Sequence, residues 1–177
     1  MYHFNDKFSI KLGRQEINLD DQRIFGAVDW AQQARSHDAL LLKISPGQKS
    51  KLDIGIAYNA NGESLFEEDY TVNQYKSLQY AWFHTDFDQN IGMRLLFLNN
   101  GMPYDKTDDQ NDTEQEITYS QTLGGRVTYK KNNFDLNAAT YYQGGNTPNA
   151  AKNSTTDLSA YYFSVNANFK VGDGFKV

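Results

Sequence analysis

Hydrophobicity in this chain repeats with period two along almost its whole length. From residue 52 to 59, Leu52, Ile54, Ile56 and Tyr58 alternate with Asp53, Gly55, Ala57 and Asn59. Successive side chains of a strand point to opposite faces, so this spacing describes a ribbon with one greasy side and one small or polar side. The segment 117–130 reads the same way, with Ile117, Tyr119, Leu123, Val127 and Tyr129 on one face. Gln121 and Gly125 are the two weak points of that face. Further alternating runs cover 8–15, 40–45, 75–85, 91–99, 134–143 and 158–171. That makes eight strands and no convincing amphipathic helix, with 175–177 as the start of a ninth strand.

The connections between these runs alternate in length. Long stretches at 16–39, 60–74, 100–116 and 144–157 are separated by short ones at 46–51, 86–90, 131–133 and 172–174. The short ones carry Pro46-Gly47, Asn132-Asn133 and Gly172-Asp173-Gly174, residues suited to tight hairpins. Short turns on one rim and long loops on the other describe an up-and-down barrel of the outer-membrane type. In lipid every backbone amide needs a partner within the protein, which favours antiparallel strands closing with an apolar outer face. Aromatic residues near strand ends, such as Tyr58, Phe87, Tyr129, Phe134, Tyr142 and Phe169, suit interfacial girdles, although they are also good strand residues in general. The expected fold is all-β, an antiparallel transmembrane β-barrel. It is read as a partial one, with residues 1–177 forming a single partial domain of about eight strands.

Composition narrows the choices. The 177 residues contain no cysteine, which removes disulfide frameworks and thiolate chemistry. Hydrophobic residues make up 39% and aromatic residues 14%, too many for a disordered tail. No run of 18 apolar residues offers a transmembrane helix. The net charge of -5 argues against a nucleic-acid partner. That charge falls in 103–116, where Lys106 faces Asp105, Asp108, Asp109, Asp112, Glu114 and Glu116. The start Met1-Tyr2-His3-Phe4 lacks the basic and apolar regions of a secretory leader. Together with the short last strand, this suggests an internal piece of a larger barrel.

On the barrel reading the polar face lines the lumen. It receives Lys11, Lys43, Arg94, Arg126, Lys130 and Lys170 against Asp53 and Asp135, a basic wall that favours anions. Lys43, Lys130 and Lys170 adjoin short turns and mark the membrane interface by snorkelling. Lys11, Arg94 and Arg126 remain as pore-lining or anion-binding candidates.

The first long connection carries Gly13-Arg14-Gln15, then Asp20-Asp21-Gln22-Arg23, Asp29-Trp30, and Arg35 three residues before Asp38. Here the sequence resembles the alginate-export family of outer-membrane barrels, over residues 12–43. The resemblance implies a large monomeric barrel with an electropositive pore for an anionic polyuronate. It marks Arg14, Asp21, Arg23, Asp29, Arg35 and Asp38 as family-pattern residues. Arginines and aspartates among them are expected to pair across the loop and fold it against the lumen, whether that merely pins the loop or also contacts a ligand.

Other chemistry is poorly supported. His3, His37 and His84 lack metal-ligand spacing. The acidic run lacks the glycine-centred geometry of a calcium loop. No nucleophile elbow or Ser-His-Asp order stands out. The expectation is therefore a non-enzymatic porin in the bacterial outer membrane, without metal or cofactor. Its partners are outer-membrane lipid and an anionic solute such as an acidic oligosaccharide, with no nucleic acid. Two alternatives are a small structural or adhesion barrel and a soluble jelly-roll polyuronate lyase. The second is weakened by the absence of a Gln-x-His element.

Overall fold

The computed structural model describes residues 1–26, 36–59, 75–107, 113–171 and 175–176. Ten strands form one antiparallel sheet in sequence order: β1 (Tyr2–Asn5), β2 (Phe8–Gln15), β3 (His37–Gly47), β4 (Ser50–Tyr58), β5 (Ser77–Asp86), β6 (Ile91–Thr107), β7 (Thr113–Lys131), β8 (Phe134–Asn149), β9 (Ser154–Val171) and β10 (Phe175–Lys176). Among the described residues there is no helix.

Each of the eight alternating runs falls on a strand, β2 with the same ends as read from sequence, while Asn59, Tyr75 and Lys76 at the ends of two runs lie just outside β4 and β5. Two differences stand out. Residues 2–5, not among the runs read as strands although Tyr2 and Phe4 alternate with His3 and Asn5, form β1 against β2. The expected long loops at 100–116 and 144–157 are mostly strand, since β6 and β7 pair out to Thr107 and Thr113, and β8 and β9 to Asn149 and Ser154. These extensions hold few apolar residues, Met102 and Tyr104 among glycine, proline and polar ones, too few to set a rhythm. Asp108, Asp109 and Asp112 of the acidic run, the connection 60–74 and the 172–174 turn lie outside the described residues.

Register sorts the side chains into two faces. One row across the sheet reads Ile10, Leu42, Ile54, Ala81, Phe97, Leu123, Tyr142 and Tyr161, apolar on eight consecutive strands. The neighbouring row on the opposite face reads Lys11, Leu41, Gly55, Tyr80, Leu98, Thr122, Gln143 and Ala160. The apolar face is open: Phe163 and Val165 are each 73% exposed, and Leu12, Ile56, Leu95 and Leu123 are exposed too. The mixed face is the covered one. Residues 16–26 fold over it, burying Ile17, Leu19 and Phe25 against Leu41, Ala57, Leu78, Tyr80, Leu96, Leu98 and Tyr141. This arrangement inverts a water-soluble sheet, which hides its greasier face.

The sheet also curls. Strands β6 and β9, three apart, have Cα atoms within 8 Å, whereas flat sheet spacing holds such strands about 14 Å apart. The mixed face is the concave one there, because residues 20–23 of a single loop reach Trp82, Arg94, Arg126 and Tyr162 on β5, β6, β7 and β9 from that side.

Gln121, the polar residue on the apolar face, has an explanation in this register. Gln79, Asn99 and Gln121 are cross-strand neighbours. The Asn99 Nδ2 donates to Gln79 Oε1 at 2.6 Å and the Gln121 Nε2 donates to Asn99 Oδ1 at 2.7 Å. Three amides on an apolar surface thus satisfy one another, which lowers the cost of removing them from water.

Candidate functional site

The site is built where the loop after β2 meets the concave face. At its root, Gly13 adopts φ 109°, a left-handed conformation open to glycine. Two residues later Gln15 turns inward, and its Nε2 donates to the carbonyls of Ala39 at 2.8 Å and Gly13 at 3.0 Å. The chain then descends and reverses, with Gln22 N donating to Leu19 O at 3.0 Å and Leu19 N to Phe25 O at 3.3 Å. Asp20 and Gln22 sit at φ 54° and 60° in this reversal. Phe25 closes the loop against the Tyr80 ring, 5.1 Å away between centroids.

The tip of this loop carries its charges into the wall. The Trp82 Nε1 donates to Asp20 Oδ2 at 3.1 Å, and Arg94 Nε lies 3.7 Å from Asp20 Oδ1. Arg126 Nη2 lies 3.3 Å from Asp21 Oδ2, and Arg23 Nε 3.7 Å from the same oxygen. The Arg23 guanidinium also stands 4.6 Å over the Tyr162 ring. The loop therefore touches β5, β6, β7 and β9 within four residues.

The wall orients both arginines independently of the loop. Arg94 Nη1 donates to Thr128 Oγ1 at 2.8 Å, and Arg126 Nε donates to Asn137 Oδ1 at 2.6 Å. Arg94 and Arg126 are direct cross-strand partners, a like-charge pair that is unfavourable unless carboxylates stand between them. Beside them opens a cavity of about 510 Å³ lined also by Lys130, Thr128 and Asn137 and by the carboxylates Asp86, Asp88 and Asp135.

Of the three pore-lining candidates, Arg94 and Arg126 thus share a site and Lys11 stands apart. Lys11 is half-buried on the concave face and makes no ion pair among the described residues. Lys43 is paired with Asp53, while Lys130 and Lys170 are exposed near the short turns. The family-pattern residues divide as well. Asp21 and Arg23 lie at the loop tip. Arg14 and Asp38 form a two-bond pair at 2.9 and 3.0 Å on the open face at the rim. Asp29 and Arg35 lie outside the described residues. Arg14 lies against Asp38 and Arg23 near Asp21, but the first contact is on the open face and the second is between near neighbours in the chain, so neither folds the loop inward; its anchors there are wall residues outside the pattern.

Sequence reasoning missed Asp20, Trp82, Thr128 and Asn137 as partners. Their place on the polar side of the alternation marked Thr128 and Asn137 as concave-face residues; nothing local marked Asp20, or Trp82, which shares its face of β5 with Leu78 and Tyr80. Of the histidines, His37 Nδ1 shares a hydrogen bond with Tyr75 Oη at 2.6 Å, and His84 Nε2 lies 3.1 Å from Asp86. Among the described residues, no three His, Cys, Asp or Glu side chains gather as metal ligands would.

No protein-family model matches the chain, and neither a curated protein nor a solved structure matches it significantly.

Proposed function

We propose that this sheet is the wall of an outer-membrane β-barrel, with lipid against its apolar face and a lumen along its concave face, and that it passes anionic solutes, acidic oligosaccharides among them. The observation that carries the reading is the apolar row from Ile10 to Tyr161, uncovered on one side while the polar side receives the loop. A bilayer is the solvent in which that inversion lowers free energy, because apolar surface facing lipid costs nothing there; the described sheet is open, with β1 and most of β9 unpaired along their outer edges, and the barrel reading requires further strands to pair them. On β9 the apolar residues run from Tyr161 to Val171, about 33 Å along the strand. With the usual tilt near 40° this gives a band about 25 Å tall, the height of an outer-membrane apolar belt. The jelly-roll lyase is disfavoured because its fold needs a second sheet facing this one. The residue pattern over 12–43 that resembles alginate-export barrels supports a polyuronate as solute.

The test is conductance across a planar lipid bilayer. Discrete channels with a reversal potential favouring chloride over potassium are expected, and Lys11→Gln should reduce that preference. Channels that prefer potassium would overturn the anion reading. Stable insertion without any conductance would replace the channel with a structural or adhesion barrel.

A further inference from the structure

A second cavity opens on the concave face nearer the long-loop rim, with a volume of about 490 Å³, within the range that holds small ligands. Its walls are apolar where Ile24 and Phe25 of the inward loop face Leu78, Leu98 and Met102 of β5 and β6. One side is aromatic. His37 stacks on Tyr75 with ring centroids 5.7 Å apart and meets Phe25 edge-on at 6.2 Å, and the bond between His37 Nδ1 and Tyr75 Oη at 2.6 Å ties the stacked rings together. Two amides interrupt this surface. Asn100 is the cross-strand partner of Leu78, and Asn59 stands one residue past β4, where its backbone N donates to Lys76 O at 2.9 Å. Both are half-buried and line the cavity, and neither side chain makes a hydrogen bond among the described residues. Asn99, the preceding residue on the open face, has its amide bonded to Gln79 and Gln121. An amide held against apolar walls without a partner is costly, and a ligand that pairs it recovers that cost.

We propose that this cavity binds an uncharged aromatic ring carrying a hydroxyl or an amide, with the ring among Phe25, His37 and Leu98 and its polar group on Asn59 and Asn100. Each asparagine offers an acceptor oxygen and two N–H donors, so the pair takes either kind of group. An acid is disfavoured. Among the described residues no lysine or arginine lines the cavity, and Asp38, beside His37 in the chain, turns to the open face where Arg14 holds it. A saccharide fits poorly as well, because its rim of hydroxyls would meet five apolar side chains and be left largely unpaired. An aromatic ring gains edge and face contacts with the three rings and has few polar atoms to satisfy. The cavity beside Arg94 and Arg126 shares no lining residue with this one, so the two differ in place and in chemistry. Passage of such a solute across a membrane rests on the channel reading; the binding site does not.

The experiment is calorimetry of the protein in detergent micelles, with 4-hydroxybenzamide as probe and 4-hydroxybenzoate as its charged counterpart, each also titrated into the micelles alone. Saturable binding of the amide is expected, and the carboxylate should bind about tenfold more weakly for want of a cation. Asn59→Leu with Asn100→Leu nearly keeps the volume but removes the hydrogen bonds, and should weaken binding about tenfold. Met102→Trp fills the cavity and should abolish binding, with unchanged β-sheet circular dichroism as the check that the wall still folds. Nuclear magnetic resonance supplies the location. Ring currents of the bound probe should shift the His37 imidazole signals and leave those of His84, which lies against Trp82 and Asp86. Absence of saturable binding, equal binding by the native chain and both variants, a preference for the carboxylate, or saturation with the His37 signals unmoved would each overturn the proposal. Because no bilayer is involved, a failure of conductance leaves this outcome readable.

Discussion

Gly124 lies under the Tyr141 ring of the neighbouring strand. A Cβ there would stand 2.3 Å from the Thr140 carbonyl oxygen and 2.4 Å from Tyr141 Cδ1. Backbone and ring would both have to shift, so Gly124→Ala is expected to destabilise the sheet by about 1–3 kcal/mol, as overpacking does. The urea midpoint of the folded protein in micelles checks this, and an unchanged midpoint would mean that the ring swings aside. A second residue-scale expectation concerns the amide ladder. Asn99→Ala leaves Gln79 and Gln121 without their shared partner, a loss of about 1–3 kcal/mol, while Gln121→Ala, at the exposed end, should cost less. At this scale the sequence was readable in part. Alternation placed Arg94 and Arg126 on the right face, because a side chain's face depends only on its neighbours. Their contact with Asp20 and Asp21, more than 70 residues away in the chain, depends on where a loop settles, and no periodicity encodes that.

The β6 and β7 hairpin shows what an element does beyond the apolar band. Above Asn99 its outward residues include Gly101, Pro103 and Asp105, so strand pairing rather than an apolar face defines it. Its upper part is tied by Glu116, which accepts from Lys106 Nζ and from Tyr104 Oη, both at 2.7 Å. Those two bonds, Lys106 first, hold the Glu116 carboxyl below its ordinary value of 4.5. In turn Glu116 holds the Lys106 ammonium above 10.5. A depressed acid supports the folded hairpin fully above pH 4.5 and loses that support as pH falls through its lowered value. A raised base does so below 10.5 and loses it as pH climbs past its raised value. Amide protection at 104–106 and 114–116 should therefore be flat across neutral pH and fall below about pH 4, and Glu116→Gln should remove the acid dependence. The pairing is exposed and screened, so the effect is local fraying with the rest of the sheet intact. These strand extensions were not legible in sequence, because they carry few apolar residues and resemble loop in composition. The strand bodies were legible because one of their faces is apolar without interruption.

For the whole molecule, the two faces have exchanged the roles they hold in water. The loop that would ordinarily pass over solvent is packed on the concave face through Ile17, Leu19 and Phe25, and the widest apolar surface is left open. Length rhythm in the connections separated the two rims, although two of the four connections expected to be long loops are mostly paired strand. It could not foretell that one of them folds inward, since Ile17, Leu19 and Phe25 gain burial only once the sheet has curled. Removing the three side chains together with alanine should release the loop from the wall while leaving the strands paired. Protease cleavage within 16–26 should then rise sharply, with unchanged β-sheet circular dichroism. Loss of the sheet signal itself would mean that the loop core is needed to fold the wall.

The most direct measurement is accessibility at single nitroxide labels in the protein reconstituted into phospholipid vesicles, made simple by the absence of native cysteine. Labels at Ile54, Ile56, Leu123, Phe163 and Val165 should collide strongly with dissolved oxygen and weakly with a water-soluble nickel chelate. Labels at Ser164 and Asn166 should show the reverse, giving an oscillation of period two along β9. Open-face labels that are reached freely by the nickel chelate, or that are shielded from both reagents by another protein layer, would contradict a lipid-facing wall.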